Sequence, residues 1–266
     1  MQEKAILVVS FGTSYPDTCH RTIEALESDL SSHFSDRRFY RAWTSVIIRR
    51  KLAAQGKIID SVDEALDRMH RDGIRDLLVQ TTHILPGEEY ALILDAVKKR
   101  CSDFSSLRIG APLLVDHADL EELAHILESG FPQVESESLL AFMGHGSECL
   151  DAPVYEELEA CFRKDGYDRF CVGTVEFEPG FAPILDRVRR ERPHKVYLSP
   201  LMVVAGDHAN NDMAGDAPDS WRSQIAGEGV ETECILKGLG EYPEVRKMYI
   251  RHAEAAKSYT CCKADG

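Results

Sequence analysis

The sequence predicts an α/β fold of two similar halves, each a parallel sheet flanked by helices, facing one another across a cleft. Three observations carry this expectation. Short apolar runs alternate with amphipathic stretches along the chain, which is the pattern of repeated strand-helix units. The runs themselves, such as Ala5-Ile6-Leu7-Val8-Val9 and Leu139-Leu140-Ala141-Phe142-Met143, are apolar without alternation, as strands covered on both faces are. A weak internal duplication lays Ser10-Phe11-Gly12-Thr13 on Gly144-His145-Gly146-Ser147, and Leu85-Pro86-Gly87-Glu88-Glu89 on Val204-Ala205-Gly206-Asp207-His208. The halves are placed at 1–132, an N-terminal α/β half acting as a wall for a ligand, and 133–266, a C-terminal α/β half that keeps the histidines.

In order, the first apolar strand ends in the loop Ser10-Phe11-Gly12-Thr13-Ser14, and Pro16 suits the first turn of a helix through about Ser31. Phe39 to Trp43 reads as a second strand, and Ser45 to Gln55 as a helix bearing the basic triplet Arg49-Arg50-Lys51. Ser61-Val62-Asp63-Glu64 has capping-box spacing, so a helix should run from there to about Asp72, with Gly73 ending it. A strand from Asp76 to Thr81, the loop Thr82 to Tyr90, a helix to about Arg100, a short strand Leu107 to Gly110 and a helix from Asp116 to Gly130 close the first half. The second half repeats the order: a strand to Met143, a helix from Pro153 to Lys164, a strand to Val175 and a helix from Gly180 to Arg190. A long apolar run from Val196 to Val204, a helix after Asp207, a strand Thr232 to Leu236 and a helix from Pro243 to about Lys257 complete it.

At 266 residues, with 44% hydrophobic and 29% charged residues, the chain has an ordinary globular composition. No stretch is long and apolar enough for a membrane span, and the N-terminus runs straight into a strand, so a cytoplasmic location is expected. A net charge of −14 argues against nucleic acid, whose binding needs phosphates neutralised by Lys and Arg, and against an anionic membrane surface. Of the eight cysteines, Cys19, Cys101, Cys149, Cys161, Cys171 and Cys234 are scattered, and reduced thiols are expected; adjacent Cys261-Cys262 lack the spacing of a zinc knuckle. Assembly into a homo-oligomer is left open by the sequence.

Two histidine loops stand out. His145 follows the strand ending at Met143, and His208 follows the run ending at Val204; Glu176 ends the strand Phe170 to Val175. In parallel sheets ligands bind at the carboxyl ends of strands, and two imidazoles with a carboxylate suit a borderline divalent metal. Catalytic sites and capped loops share these residue types, so both readings stay open on pattern alone. The chain lacks a P-loop, a dinucleotide-binding glycine motif and a nucleophile elbow, so no nucleotide is expected.

Leu7-Val8-Val9-Ser10-Phe11-Gly12-Thr13-Ser14, Thr81-Thr82-His83-Ile84 with Gly87-Glu88-Glu89-Tyr90, Gly144-His145-Gly146-Ser147, Gly173-Thr174-Val175-Glu176 and Gly206-Asp207-His208-Ala209-Asn210-Asn211-Asp212-Met213 together resemble the anaerobic-pathway sirohydrochlorin cobaltochelatases. These are class II, ATP-independent chelatases, lyases that place Co2+ in a tetrapyrrole on the way to cobalamin, with a fold similar to protoporphyrin ferrochelatase. The resemblance spans nearly the whole chain and implies that His145 and His208 bind the metal, with Glu176 as the third metal and catalytic residue. Glu178 is the neighbouring alternative. It further implies sirohydrochlorin as substrate, with contacts from Ser10, Phe11, Gly12, Thr13, Arg49, Arg50, His83 and Glu89; a loop-stabilising role for His83 is the alternative. Iron insertion toward siroheme, or metal and tetrapyrrole carriage without turnover, are the competing functions.

Overall fold

The computed structural model describes residues 3–131, 134, 137–147 and 153–259, which group into two compact units. The first combines Met1–Val115 with Arg246–Gly266, and the second is Asp116–Val245.

The first unit opens with β1 (Glu3–Ser10) and a helix made of α1 (Pro16–Cys19), a π turn His20–Glu24 and α2 (Ala25–His33). Then come β2 (Arg38–Trp43), α3 (Val46–Ala53), α4 (Val62–Arg71), β3 (Ile74–Thr81), α5 (Glu88–Arg100) and β4 (Ser106–Ile109). The expected capping box starts α4: the Glu64 N–H donates to Ser61 Oγ at 3.2 Å and the Ser61 N–H to Glu64 Oε2 at 2.7 Å. Leu7, Val9, Leu77 and Val79 pack with Leu66, Met69 and Ile93, while Ile6 and Val8 are equally buried. Burial of both strand faces is why these runs do not alternate. Each such side chain contributes about 1.5–3 kcal/mol.

The second unit holds α6 (His117–Gly130), β5 (Ser138–Gly144), α7 (Val154–Lys164), β6 (Phe170–Thr174), α8 (Ala182–Glu191), β7 (Lys195–Pro200), α9 (Trp221–Gly227) and β8 (Glu231–Cys234). Its core joins Leu139, Ala141, Met143, Val196 and Leu198 to Ile184, Val188 and Ile225. The chain then forms α10 (Pro243–Glu254) and the two-residue β9 (Lys257–Ser258), which pairs antiparallel with β4. All other strand pairs are parallel. The sheet orders are β2-β1-β3-β4-β9 and β6-β5-β7-β8. Leaving β9 aside, both sheets run second, first, third, fourth, so the duplication seen in the sequence has a counterpart in topology.

Three expectations are corrected. The boundary is not a single cut at 132: α6 belongs to the second unit, where Lys164 pairs with Glu121 at 2.6 Å, and the residues from Arg246 return to the first. There Arg246 pairs with Asp29 at 2.6 Å, and the Tyr249 hydroxyl donates to the Thr82 carbonyl at 2.8 Å. An amphipathic helix buries its apolar stripe against whichever sheet is at hand, and chain order does not say which. Second, β7 stops at Pro200 instead of running to Val204. The carbonyls of Met202 and Val203 accept from Leu239 and Gly240, residues of the 3-10 turn Leu239–Glu241 and not of a neighbouring strand. Third, Cys101 is disulfide-bonded, whereas Cys19, Cys161, Cys171 and Cys234 are the expected free thiols. Cys261 and Cys262 lie outside the described residues. Among those residues no helix is long and apolar enough to cross a membrane.

Candidate metal centre

Pairing between β5 and β6 continues past both strands. The Val175 N–H donates to the Gly144 carbonyl and the Glu176 N–H to the His145 carbonyl, each at 2.9 Å. This sets Glu176 beside His145. The loop also leans on Tyr155 of α7: the Gly146 N–H donates to its hydroxyl at 3.1 Å, and a Cβ on Gly144 would lie 2.4 Å from its ring. Gly146 has φ +90°, and a Cβ there would sit 1.8 Å from the Glu176 carbonyl oxygen. Only glycine permits that backbone conformation and that approach together.

His208 reaches the same place by another route. It lies eight residues past Pro200, at the start of a turn that continues as the π turn Ala209–Met213. Ala209 and Met213 are fully buried and anchor the turn, while the Asn210 side chain donates to the Gly206 carbonyl at 2.7 Å. The His145 and His208 rings are 5.1 Å apart at 79°, and one ligand atom from each of His145, Glu176 and His208 lies within 4.8 Å of the others. Glu178 is not part of that group.

Each imidazole has its Nδ1 occupied. His145 Nδ1 is 3.0 Å from the Gly146 carbonyl oxygen, and His208 Nδ1 is 2.7 Å from Asp212 Oδ2. A carbonyl only accepts, so a neutral His145 carries its proton on Nδ1 and presents the Nε2 lone pair; the carboxylate imposes the same tautomer on His208. Two imidazole lone pairs and a carboxylate oxygen form a donor set for a first-row divalent ion, with coordination positions left open.

A second group of potential ligands, His125, Glu128 and Asp165, has a different character. There His125 Nδ1 itself lies between the carboxylates, 3.2 Å from Glu128 and 3.4 Å from Asp165. Burial pushes the Glu128 carboxyl up, the His125 hydrogen bond opposes this, and Asp165 adds to it. That is the pattern of an ion-paired staple between α6 and the end of α7.

The other candidates lie in the first unit, at the carboxyl ends of β1, β2 and β3. Ser10 is buried and its hydroxyl accepts from Thr82 Oγ1 at 2.9 Å; Thr13 is buried with Oγ1 accepting from the Tyr15 N–H at 3.2 Å. Gly12 is buried and Phe11 is exposed. Arg49 pairs with Glu64 at 3.4 Å, although its Nε is buried without a hydrogen bond among the described residues; Arg50 is exposed in the last turn of α3. His83 Nδ1 is 2.6 Å from Thr81 Oγ1, whereas His83 Nε2 and Glu89 Oε2 are buried with no hydrogen-bond partner among the described residues. Apart from those two residues and Arg49, the hydrogen bonding here is internal. Phe177 was missed in the sequence: half exposed, it follows Glu176 directly and holds φ at 60°, a conformation rare outside glycine. Thr174 secures it, its hydroxyl donating to the Phe177 carbonyl and accepting from the Gly180 N–H, both at 2.9 Å.

Burial pushes the His83 imidazole down to about 4 from 6.5. The unfolded chain therefore binds more protons than the folded one between those values, so stability rises with pH there. His83 should contribute fully above about pH 6.5 and lose its contribution, on the order of 3 kcal/mol, as pH falls through about 4. Urea midpoints of the protein and of His83→Gln across that range check this; the variant should show the shallower slope.

Residues 4–258 match the family model described as cobalt chelatase (CbiK). The chain belongs to the cobalt chelatase (CbiK) family. It is 39% identical over 255 residues to a sirohydrochlorin cobaltochelatase of Salmonella typhimurium, covering 96% of each chain. It is 33% identical over 261 residues to the sirohydrochlorin cobaltochelatase CbiKC of Nitratidesulfovibrio vulgaris, covering 97% of this chain and 92% of that one. Among solved structures, SirB from Bacillus subtilis with Fe3+ superposes with a TM-score of 0.66 at 11% identity, covering 95% of both chains, a likeness of fold.

Proposed function

We propose that the protein inserts Co2+ into sirohydrochlorin in anaerobic cobalamin biosynthesis, without a nucleotide and in the cytoplasm, with His145, Glu176 and His208 as the residues that receive and deliver the ion. The observation that carries this is the convergence of those three side chains, each from a different loop, in a chain of the cobalt chelatase family.

Insertion needs a partly dehydrated ion at the face of a macrocycle and the removal of pyrrole N–H protons. His145 and His208 supply Nε2 lone pairs to the ion. Glu176 steers it and accepts a proton. A closed four-ligand site would retain the metal, whereas three protein ligands leave positions for water and for the incoming pyrrole nitrogens. Half-exposed Phe177 offers apolar surface to the macrocycle beside the centre. On this reading the N-terminal half is the substrate wall: Arg49 and Arg50 meet substrate carboxylates, and the Ser10-Phe11-Gly12-Thr13 loop, His83 and Glu89 complete it. The unbonded buried atoms of Arg49, His83 and Glu89 support the last assignment, because buried polar groups ordinarily have partners.

The test is anaerobic insertion into sirohydrochlorin with Co2+, Fe2+ or Ni2+ offered separately. Product beyond one equivalent per chain, fastest with cobalt, is expected; at most one equivalent would leave a carrier, and faster iron insertion would make the protein a siroheme enzyme. In the same assay Glu176→Gln should lower turnover about 100-fold, the usual worth of a positioned acid or base, while changing Co2+ affinity less. Normal turnover in Glu176→Gln with Glu178→Gln inactive would move the base to Glu178.

A further inference from the structure

We infer that Asp212 is the positioning residue of the metal centre, a carboxylate that orients His208 and makes it the more strongly donating of the two histidines. This rests on the reading of His145, Glu176 and His208 as that centre. The two imidazoles are held unequally. His145 Nδ1 meets a neutral carbonyl at 3.0 Å, whereas His208 Nδ1 meets a carboxylate at 2.7 Å. Hydrogen bonds to an ionised partner are shorter and stronger, and a carboxylate behind an imidazole fixes its rotation and raises the basicity of the opposite nitrogen.

The local backbone is suited to the task. Asp212 follows His208 by four residues, which places the two side chains on one face of the turn, and the π turn that carries Asp212 is closed by the Ala214 N–H donating to the Ala209 carbonyl at 3.1 Å. The other acid of the turn is engaged differently, since Asp207 accepts from the Asn211 side chain at 3.0 Å. The Asp212 side chain is 48% exposed, so its truncation opens no cavity. What it removes is the hydrogen bond to His208.

The experiment titrates the intact protein, without tetrapyrrole, with Co2+ alone and reads the visible absorption of the bound ion and its competition with a chelator. Wild type, His208→Ala, Asp212→Ala and Asp212→Asn are compared, each checked by circular dichroism. Asp212→Ala should bind Co2+ about 10- to 100-fold more weakly. Asp212→Asn, whose amide oxygen still accepts but carries no charge, should lose less, and it carries the comparison if the alanine variant does not fold. In turnover, the KM for Co2+ should rise in both variants while the KM for sirohydrochlorin stays unchanged. Wild-type Co2+ affinity in both Asp212 variants, with binding lost in His208→Ala, would overturn the inference and leave the metal centre standing. Cobalt binding that survives in His208→Ala would remove the centre, and the role of Asp212 with it.

Discussion

Replacing His145 or His208 with alanine is expected to reduce cobalt insertion at least about 100-fold while leaving the chain folded. Loss of a group behind a metal-binding histidine commonly costs 10- to 100-fold, and loss of the ligand itself should exceed that. Stability should move by no more than about 0.5 kcal/mol, because His145 is exposed on its loop and His208 is only partly buried, and neither is packed into the core of the unit. Steady-state insertion with a thermal melt of each variant checks both halves of the statement. Inactivity with a large drop in melting temperature would mean that these residues hold the loops and not the ion.

Gly146→Ala should be nearly as damaging without removing any functional side chain. The new Cβ would lie 1.8 Å from the Glu176 carbonyl oxygen, so the peptide carrying Glu176 must move away from His145. Misplacement by about an ångström can cost about 100-fold in rate, and the φ of +90° adds about 1–3 kcal/mol of backbone strain for a residue with a side chain. Gly166→Ala is the control. It has φ +88° with nothing within 4 Å of the added Cβ, so it should lose stability but retain activity. Equal activity in the two variants would show that the close approach at Gly146 does not hold the centre together.

The internal duplication explains much of what could be read from sequence. His145 directly follows β5 and Phe11 directly follows β1; His208 comes eight residues after β7 ends and Glu89 eight residues after β3 ends. The two halves thus carry the same scaffold with different side chains at matching stations. Only in the second do those stations hold a histidine pair with a carboxylate nearby. Glu178 competed with Glu176 in the sequence because both are acids just past the same strand; continued pairing of the Glu176 N–H with the His145 carbonyl brings Glu176, and not Glu178, to the histidines.

Local chemistry written along the chain was therefore enough for most of the strands and helix starts and for the two histidine loops. Apolar runs, proline and capping residues act over a few positions, and strand ends in a parallel sheet share one edge. Tertiary structure alone decided which unit claims α6 and α10, where β7 stops, why Gly146 must be glycine and why Glu176, rather than Glu178, meets the histidines. Those outcomes depend on contacts between residues distant in the chain: the Glu176 carbonyl, just past β6, 1.8 Å from a methyl added at Gly146, the Glu176 N–H paired with the His145 carbonyl, a sheet that lies under an apolar stripe. Spacing in one dimension does not encode such distances, because they exist only once the backbone has closed on itself.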